Sequence, residues 1–272
     1  MNEQGATSEE GAASEEGAAS EQGATSEQGR GTASEQGGAE DGGIAAIVLA
    51  GGTGERLGGT SKADLRLGGR RFLEILIAGL RAEPGIGEVV VVAPPEVAVP
   101  AGVLQTLEDP PGGGPVAGVI AGLDALRVPV GEVAVLTCDA PFGARAIPAL
   151  VAGLHARERD GGAREHDGAA ARGGAGFTEY LLAVYRTGAL RRRTAESATR
   201  DISARRFFSA LDITEVAVPP LALDDVDTPE DLARLSVIAE VELVEDVGHE
   251  GADHADGVAD TSRGTGGADH QS

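Results

Sequence analysis

The chain has 272 residues, with 44 Asp or Glu against 22 Lys or Arg, and its net charge of −22 argues against non-specific binding to nucleic acid or to an anionic membrane. Its one cysteine, Cys138, excludes an internal disulfide and a cysteine-built zinc site and agrees with a reducing compartment. The chain has no run of 18 apolar residues and its N-terminus lacks the composition of a signal or transit peptide, so a cytoplasmic protein without membrane partners is expected.

Residues 1–43 repeat a hexamer, seen as GATSEE, GAASEE, GAASEQ and GATSEQ, with almost no branched apolar or aromatic side chain. Such a segment buries too little apolar surface to offset the entropy of ordering it, and a disordered acidic tail is predicted. A second tail is predicted over 240–272, where the apolar period is lost after Val247; His249, His254 and His270 there read as solvated rather than as a metal site. The tails carry −9 and −8, leaving −5 for residues 44–239, so basic residues in that span read as local tools for one anionic ligand. About 195 residues remain, enough for one domain with a sizeable core.

The segment IAAIVLA from Ile44 reads as a buried strand that runs into a glycine-rich loop, GGTGERLGGTSK, carrying Arg56 and Lys62. Glycines let backbone N–H groups approach an anion, and the two cations can neutralise a polyphosphate, so the loop reads as a phosphate cradle. It fits neither of two better-known cradles. Lys62 lies between Ser61 and Ala63, which breaks the P-loop spacing, and Leu57 stands where the dinucleotide fingerprint needs its third glycine. A helix is predicted over RFLEILIAGLRA from Arg71, then strands over EVVVVA from Glu88 and, more weakly, over 103–107. The loop EDPPGGGPVAG follows. A carboxylate can accept both donors on the Watson–Crick edge of guanine, whereas cytosine offers only its amino donor. Asp109 is therefore a candidate reader of base or ribose, with a plain loop as the competing reading.

A helical spacing over PVAGVIAGLDAL from Pro115 leads to the strand EVAVLTC from Glu132, which ends at Asp139 in TCDAP. A carboxylate facing a polyphosphate is repelled unless a cation lies between them, which suggests Asp139 as a Mg²⁺ ligand; a helix N-cap is the competing reading. Residues 144–157 have helical spacing, and 157–176, rich in Gly, Ala and charge, read as a mobile loop over an acceptor site. The strand YLLAVYR from Tyr180 places Tyr180 and Tyr185 where they should pack. The basic residues Arg191, Arg192, Arg193, Arg200, Arg205 and Arg206 read either as an acceptor contact or as a solvated helix face. A weak strand over 215–218 precedes LDDVDTPEDLARL. There Asp227 or Thr228 would cap a helix opened by Pro229, and Asp225 and Asp227 are also candidates for contact with metal or acceptor phosphate.

Near-continuous apolar strands alternating with helices predict a three-layer, Rossmann-like α/β domain over 44–239 with a mostly parallel sheet. Ligands of such sheets bind beyond the carboxyl ends of the strands, where the glycine-rich loop and Asp139 fall.

The segments VLAGGTGERLGGTSK, EDPPGGGPVAG, LTCDAP and DVDTPEDL, in this order, resemble the nucleotidyltransferases of the molybdenum cofactor guanylyltransferase family over roughly residues 44–237. The resemblance implies that Leu49, Ala50, Gly51, Gly52 and Lys62 bind the nucleotide, that Asp109 belongs to the GTP site, and that Asp139 binds GTP and Mg²⁺. It implies transfer of GMP from GTP to the terminal phosphate of molybdenum-bearing molybdopterin, with release of pyrophosphate. The implied partners are GTP, a molybdopterin-type acceptor, and molybdoenzymes or proteins of the cofactor pathway.

In the mechanism this suggests, Mg²⁺ on Asp139 bridges nucleotide phosphates, Arg56 and Lys62 stabilise the departing pyrophosphate, and Asp227 serves the acceptor. The chain departs from the family pattern at Ser61, where Asp is usual, at Gly54 and Glu55, where a second basic residue is frequent, and at Asp225-Val226-Asp227, where Asn-x-Asn is frequent. An Asp at the place of Asp227 also occurs in cytidylyltransferase relatives. Two further readings stand beside the first: a CTP-using or other small-molecule nucleotidyltransferase of the same fold, and a non-catalytic nucleotide-binding module in which the acidic tails are the working part.

Overall fold

The computed structural model of the chain describes residues 43–54, 60–156 and 165–238. The tails predicted at 1–43 and 240–272 lie outside the described residues apart from Gly43, as do Glu55 and Arg56 of the glycine-rich loop.

Strand β1 (Ile44–Leu49) sits near the middle of the main sheet, and both of its faces are apolar, with Ala46 and Val48 on one side and Ala45 and Ile47 on the other. A strand of that kind must be covered twice. Helices α1 (Phe72–Ala82) and α3 (Ile147–Leu154) cover the Val48 side; α2 (Gly114–Ala125), α4 (Thr187–Glu196) and the short α5 (Ala204–Phe208) cover the Ile47 side. In α1 the buried Leu73, Leu76, Ile77 and Leu80 recur at helical spacing, and the Glu74 carboxylate accepts the Arg71 N–H at 3.0 Å to close the first turn. The result is the three-layer α/β fold expected from the alternation of elements.

The seven-stranded sheet runs β11 (Ile213–Val216), β9 (Gly168–Arg172), β10 (Thr178–Arg186), β8 (Glu132–Thr137), β1, β6 (Ile86–Val92), β7 (Leu104–Thr106). All neighbouring pairs are parallel except those made by β10, which opposes both β8 and β9. The sheet is therefore mostly parallel, and the carboxyl ends of β1, β6, β7 and β8 share one edge. Two small hairpins hang from that edge: β2 (Thr53–Gly54) with β3 (Thr60–Ser61), which frames the glycine-rich loop, and β4 (Arg66–Leu67) with β5 (Arg70–Arg71). A satellite apolar cluster of Leu65, Leu67, Phe72, Phe142, Val226 and Leu235 ties this edge to a C-terminal helix, α6, over 229–238.

Two details differ from the sequence expectation. The helix expected over 144–157 is a 3₁₀ turn, Gly143–Ala146, followed by α3, with Pro148 placed in the first α-helical turn where its missing N–H does no harm. Within the expected loop 157–176, the sequence GAAAR forms β9, the buried strand between β10 and β11. Nothing in it has strand propensity, but a Cβ on Gly168 would come within 2.6 Å of the ring of the fully buried Tyr185, so the neighbouring strand demands small residues there. Tyr185 packs as expected, stacked at 4.9 Å on Phe208, with its hydroxyl donating to the Tyr180 carbonyl at 2.7 Å.

Close approach of α2 to β1 rests on a glycine as well. A Cβ on Gly122 would lie 2.5 Å from Cγ2 of the fully buried Ile47. Gly122→Ala should therefore lower stability by about 1 kcal/mol or more in chemical denaturation, even though alanine is about 1 kcal/mol the better helix former.

Candidate active site

The carboxyl ends of β1, β6, β7 and β8 and the start of α2 enclose a cavity of about 470 Å³. Its lining is mixed: Gly51, Gly52, Lys62, Thr137 and Asp139 are glycine or polar, and Leu49, Val92, Pro94, Leu107, Pro111 and Leu181 are apolar. Lys62, Glu108 and Asp139 are the ionisable lysine and acids among the described lining residues. A Cβ on Gly51 would meet no atom within 4 Å, and one on Gly52 only the Lys62 side chain at 3.9 Å. Packing therefore does not require glycine at these two places, and their bareness leaves backbone open to the cavity. Ala50, between Leu49 and Gly51, points the other way into the core, and its N–H donates to the Val92 carbonyl at 2.9 Å.

Lys62 starts a short 3₁₀ turn (Lys62–Asp64) directly after β3. Its ammonium donates to Asp139 Oδ2 at 2.9 Å and to Asp227 Oδ1 at 2.5 Å. Asp139 reaches this point because β8 ends there: Cys138 donates its N–H to the Leu49 carbonyl at 3.0 Å, and the chain then turns away. Asp139 caps no helix, since the next helical turn starts at Gly143 after Phe142. Asp227 arrives from the far end of the chain because Val226 is buried in the satellite cluster and its N–H donates to the Asp139 carbonyl at 3.0 Å.

The helix-start role weighed for this segment falls on Thr228 and Asp231. Thr228 and Asp231 open α6 by bonding reciprocally: Thr228 N–H donates to the Asp231 carboxylate at 3.0 Å, and Asp231 N–H donates to Thr228 Oγ1 at 3.2 Å. The Asp227 carboxylate is left to face Lys62.

Charge is crowded here. Burial lowers the Lys62 pKa, but hydrogen bonds to Asp227 and Asp139 and their negative charge outweigh it, and the amine is held above the ordinary lysine value as an ammonium. Burial, and then the charges of Asp139 and Asp227, push the Asp225 carboxyl above the usual aspartate value. Burial and Asp225 do the same to Glu179 on β10. Several carboxylates thus compete for one ammonium, an arrangement that a further cation would relieve. Among the described residues no group of three or more Asp, Glu, His or Cys side chains is arranged to hold a metal ion; Asp139 and Asp227 form a pair.

Three other expectations have definite places. Asp109 is exposed and lines only a separate groove of about 380 Å³ on the outer side of its loop, while its neighbour Glu108 borders both that groove and the main cavity. The sequence offered two adjacent acids of equal chemistry, and only the course of the loop separates them. Arg56 lies outside the described residues. The basic residues of the C-terminal half are dispersed: Arg191 pairs with Asp124 at 3.6 Å, Arg192 with Asp167 at 3.2 Å, and Arg200 donates to the Pro110 carbonyl at 2.6 Å, so Arg200 alone of these three reaches the cavity's loop. A larger cavity of about 700 Å³ lies at the opposite edge of the sheet, where the charges are paired with each other, His166 with Asp212 at 3.3 Å and Arg186 with Glu132 at 3.8 Å. It contains no loop of bare glycines at strand carboxyl ends, and the smaller cavity is the better candidate.

A family model described as "MobA-like NTP transferase domain" matches residues 46–215. A molybdenum cofactor guanylyltransferase of Acidiphilium cryptum is 35% identical over 126 residues, covering 45% of this chain and 64% of that protein. One from Cereibacter sphaeroides is 39% identical over 102 residues, covering 36% and 51%. The chain thus spans between half and two thirds of the length of these curated relatives. Among solved structures, molybdopterin-guanine dinucleotide biosynthesis protein A from Archaeoglobus fulgidus superposes with a TM-score of 0.53 at 21% identity, covering 72% of this chain and 98% of that one. A 2-C-methyl-D-erythritol 4-phosphate cytidylyltransferase from Thermus thermophilus does so with a TM-score of 0.53 at 21% identity, covering 73% and 99%. At these identities the two structures establish the fold.

Cys138, beside Asp139, is a buried thiol rather than a nucleophile. Burial, and then the Asp139 charge, push its pKa up to about 12. At pH 8 the thiolate fraction is then about 1 in 10⁴, so iodoacetamide should leave the folded protein unmodified and label Cys138 only once denaturant is added, as read by mass spectrometry.

Proposed function

We infer the reaction from one premise: the chain belongs to the MobA-like NTP transferase domain family. On that premise we propose that it transfers GMP from GTP to the terminal phosphate of molybdenum-bearing molybdopterin and releases pyrophosphate, as the name of the curated relatives indicates for them. The observation that carries this reading is the Lys62 ammonium held between Asp139 and Asp227 beside the bare Gly51 and Gly52, in a cavity that apolar side chains also line.

In this reaction an oxygen of the acceptor phosphate attacks the α-phosphorus of GTP, the bond from that phosphorus to the bridging oxygen breaks, and pyrophosphate leaves with the electron pair. The acceptor phosphate is already an anion at neutral pH, so no general base is needed, and catalysis rests on alignment and on charge. Gly51 and Gly52 would present backbone N–H groups to the triphosphate, and Leu49 would border the nucleoside. The Lys62 ammonium, released from its carboxylates, would stabilise charge that builds on the departing pyrophosphate, with Arg56 of the same loop as the second cation.

Mg²⁺ fits the donor set. It takes one or two carboxylates and completes its shell with phosphates and water, and Asp139 and Asp227 are two carboxylates converging on one cation. These two residues would hold the ion, which when bound supplies positive charge against the polyphosphate. Asp227 is the more open of the pair, with its side chain 50% exposed against 24% for Asp139, and would face the acceptor. The partners that follow are GTP, the molybdopterin-type acceptor and proteins of the cofactor pathway, in the cytoplasm.

Pyrophosphate release by the full chain, supplied with each of the four NTPs, Mg²⁺ and molybdenum-loaded molybdopterin, tests the reading. Release with GTP only in the presence of the acceptor is expected; preference for CTP would move the chain to the cytidylyl branch of the fold. Asp139→Asn should lower kcat by at least about 10²-fold while leaving the thermal unfolding midpoint close to that of the parent protein. Turnover retained by that variant with Mg²⁺ would remove Asp139 from the metal role.

A further inference from the structure

Besides Asp139, the cavity is lined by one other acidic side chain among the described residues, Glu108, which also borders the outer groove. It sits just past β7, between Leu107 and the loop of Pro111 and Gly112, in a cavity that Leu49, Val92 and Leu181 also line. One of its oxygens, Oε1, accepts the backbone N–H groups of Gly112 at 3.0 Å and Gly113 at 3.3 Å, which fixes the carboxylate in place. The other, Oε2, has no hydrogen-bond partner among the described residues. The loop itself does not depend on Glu108 alone, because it is also held from outside: Arg200 donates to the Pro110 carbonyl at 2.6 Å, and Asp201 N–H donates to the Gly113 carbonyl at 3.0 Å. Asp201 does so from a left-handed backbone conformation, φ 56°, which a non-glycine residue adopts at some energetic cost.

An oriented carboxylate in a cavity lined by Leu49, Val92, Leu107 and Leu181 suits a ring that brings two adjacent N–H donors to its edge. Guanine offers N1–H and the 2-amino group side by side; cytosine, uracil and adenine do not offer that pair to one carboxylate. We propose that Glu108, and not Asp109, is the base-reading residue of this chain: its carboxylate accepts the N1–H and 2-amino donors of guanine and so sets the preference for GTP. The assignment rests on the guanylyl-transfer reading and departs from what the family resemblance implies for Asp109: both acids border the outer groove, and of the two only Glu108 also lines the main cavity.

The test is equilibrium binding of GTP, ITP, XTP and CTP to the full chain with Mg²⁺, independent of turnover. ITP differs from GTP only by lacking the 2-amino group, so the GTP to ITP affinity ratio reads that contact directly. The parent protein should prefer GTP by roughly 10- to 100-fold, the range expected for a hydrogen bond to a charged acceptor. Glu108→Gln keeps an acceptor for Gly112 and Gly113 but sets an amide N–H₂ against the base. The ratio should then fall to near 1, and XTP, which carries a carbonyl in place of the 2-amino group, should gain affinity relative to GTP. Asp109→Asn should keep the parent ratio. A loop that was merely loosened would weaken GTP and ITP alike and leave their ratio unchanged, and that result would overturn the assignment. So would a ratio that collapses in Asp109→Asn and survives in Glu108→Gln. A parent protein that binds CTP in preference to GTP would instead overturn the guanylyl reading, and Glu108 as a guanine reader with it.

Discussion

The Lys62 ammonium holds two carboxylates that lie 77 and 165 residues away along the chain, and the site exists as one place because of it. Asp139 is delivered by the end of a central strand and Asp227 by a C-terminal segment that has no strand of its own in the sheet. Charges brought this close need a counter-ion, since like charges at short range oppose each other more strongly as water is removed. The carboxyls of Asp225 and Glu179 are pushed above the usual values by burial first and by neighbouring carboxylates second. Lys62 is thus paired with its two nearest carboxylates, and further acidic side chains lie close by.

Packing on small residues sets how closely the layers that frame this edge approach. Gly118 and Gly122, four residues apart on α2, face Leu49 and Ile47, and a Cβ on Gly118 would already stand 3.1 Å from Leu49 Cδ2. The helix therefore lies low over the sheet, and its first residue, Gly114, becomes part of the cavity wall. On the other side of β8, β9 accepts the Tyr185 ring against Gly168 for the same reason. Large aromatic payloads and bare backbone alternate, and the position of the wall depends on both.

Much of this was legible in the sequence because burial on two faces writes itself as a continuous apolar run. Ile44–Leu49, Glu132–Thr137 and the Val89–Val92 stretch could be little else, and their carboxyl ends marked the functional edge before any coordinates. Lys62 and Asp139 could be singled out because glycine-rich loops and strand-terminal acids are rare as a combination. What sequence could not supply was direction and neighbourhood. GAAAR carries no strand signal of its own and becomes a strand only because β10 and β11 offer it partners. Glu108 and Asp109 are chemically alike and adjacent, and which of them turns inward is decided by a loop anchored from Arg200 and Asp201, some ninety residues on. The split of roles between Asp227 and Thr228 is of the same kind: composition marks a helix start and a site, and only hydrogen bonds say which residue does which.

That split has an evolutionary reading. Because Thr228 and Asp231 satisfy the first turn of α6 between themselves, the side chain of Asp227 carries no duty toward the helix, and only its backbone N–H reaches Asp231, at 3.4 Å. Its side chain can be exchanged for one of different charge without unwinding the segment that delivers it. The resemblance to relatives that carry Asn-x-Asn ahead of the same Thr-Pro pair fits this modularity: one position is free to explore ligand chemistry while the next holds the scaffold still. A chain built this way can change the charge of that side chain, at the cost of its ion pair with Lys62, while Thr228 and Asp231 still open the helix.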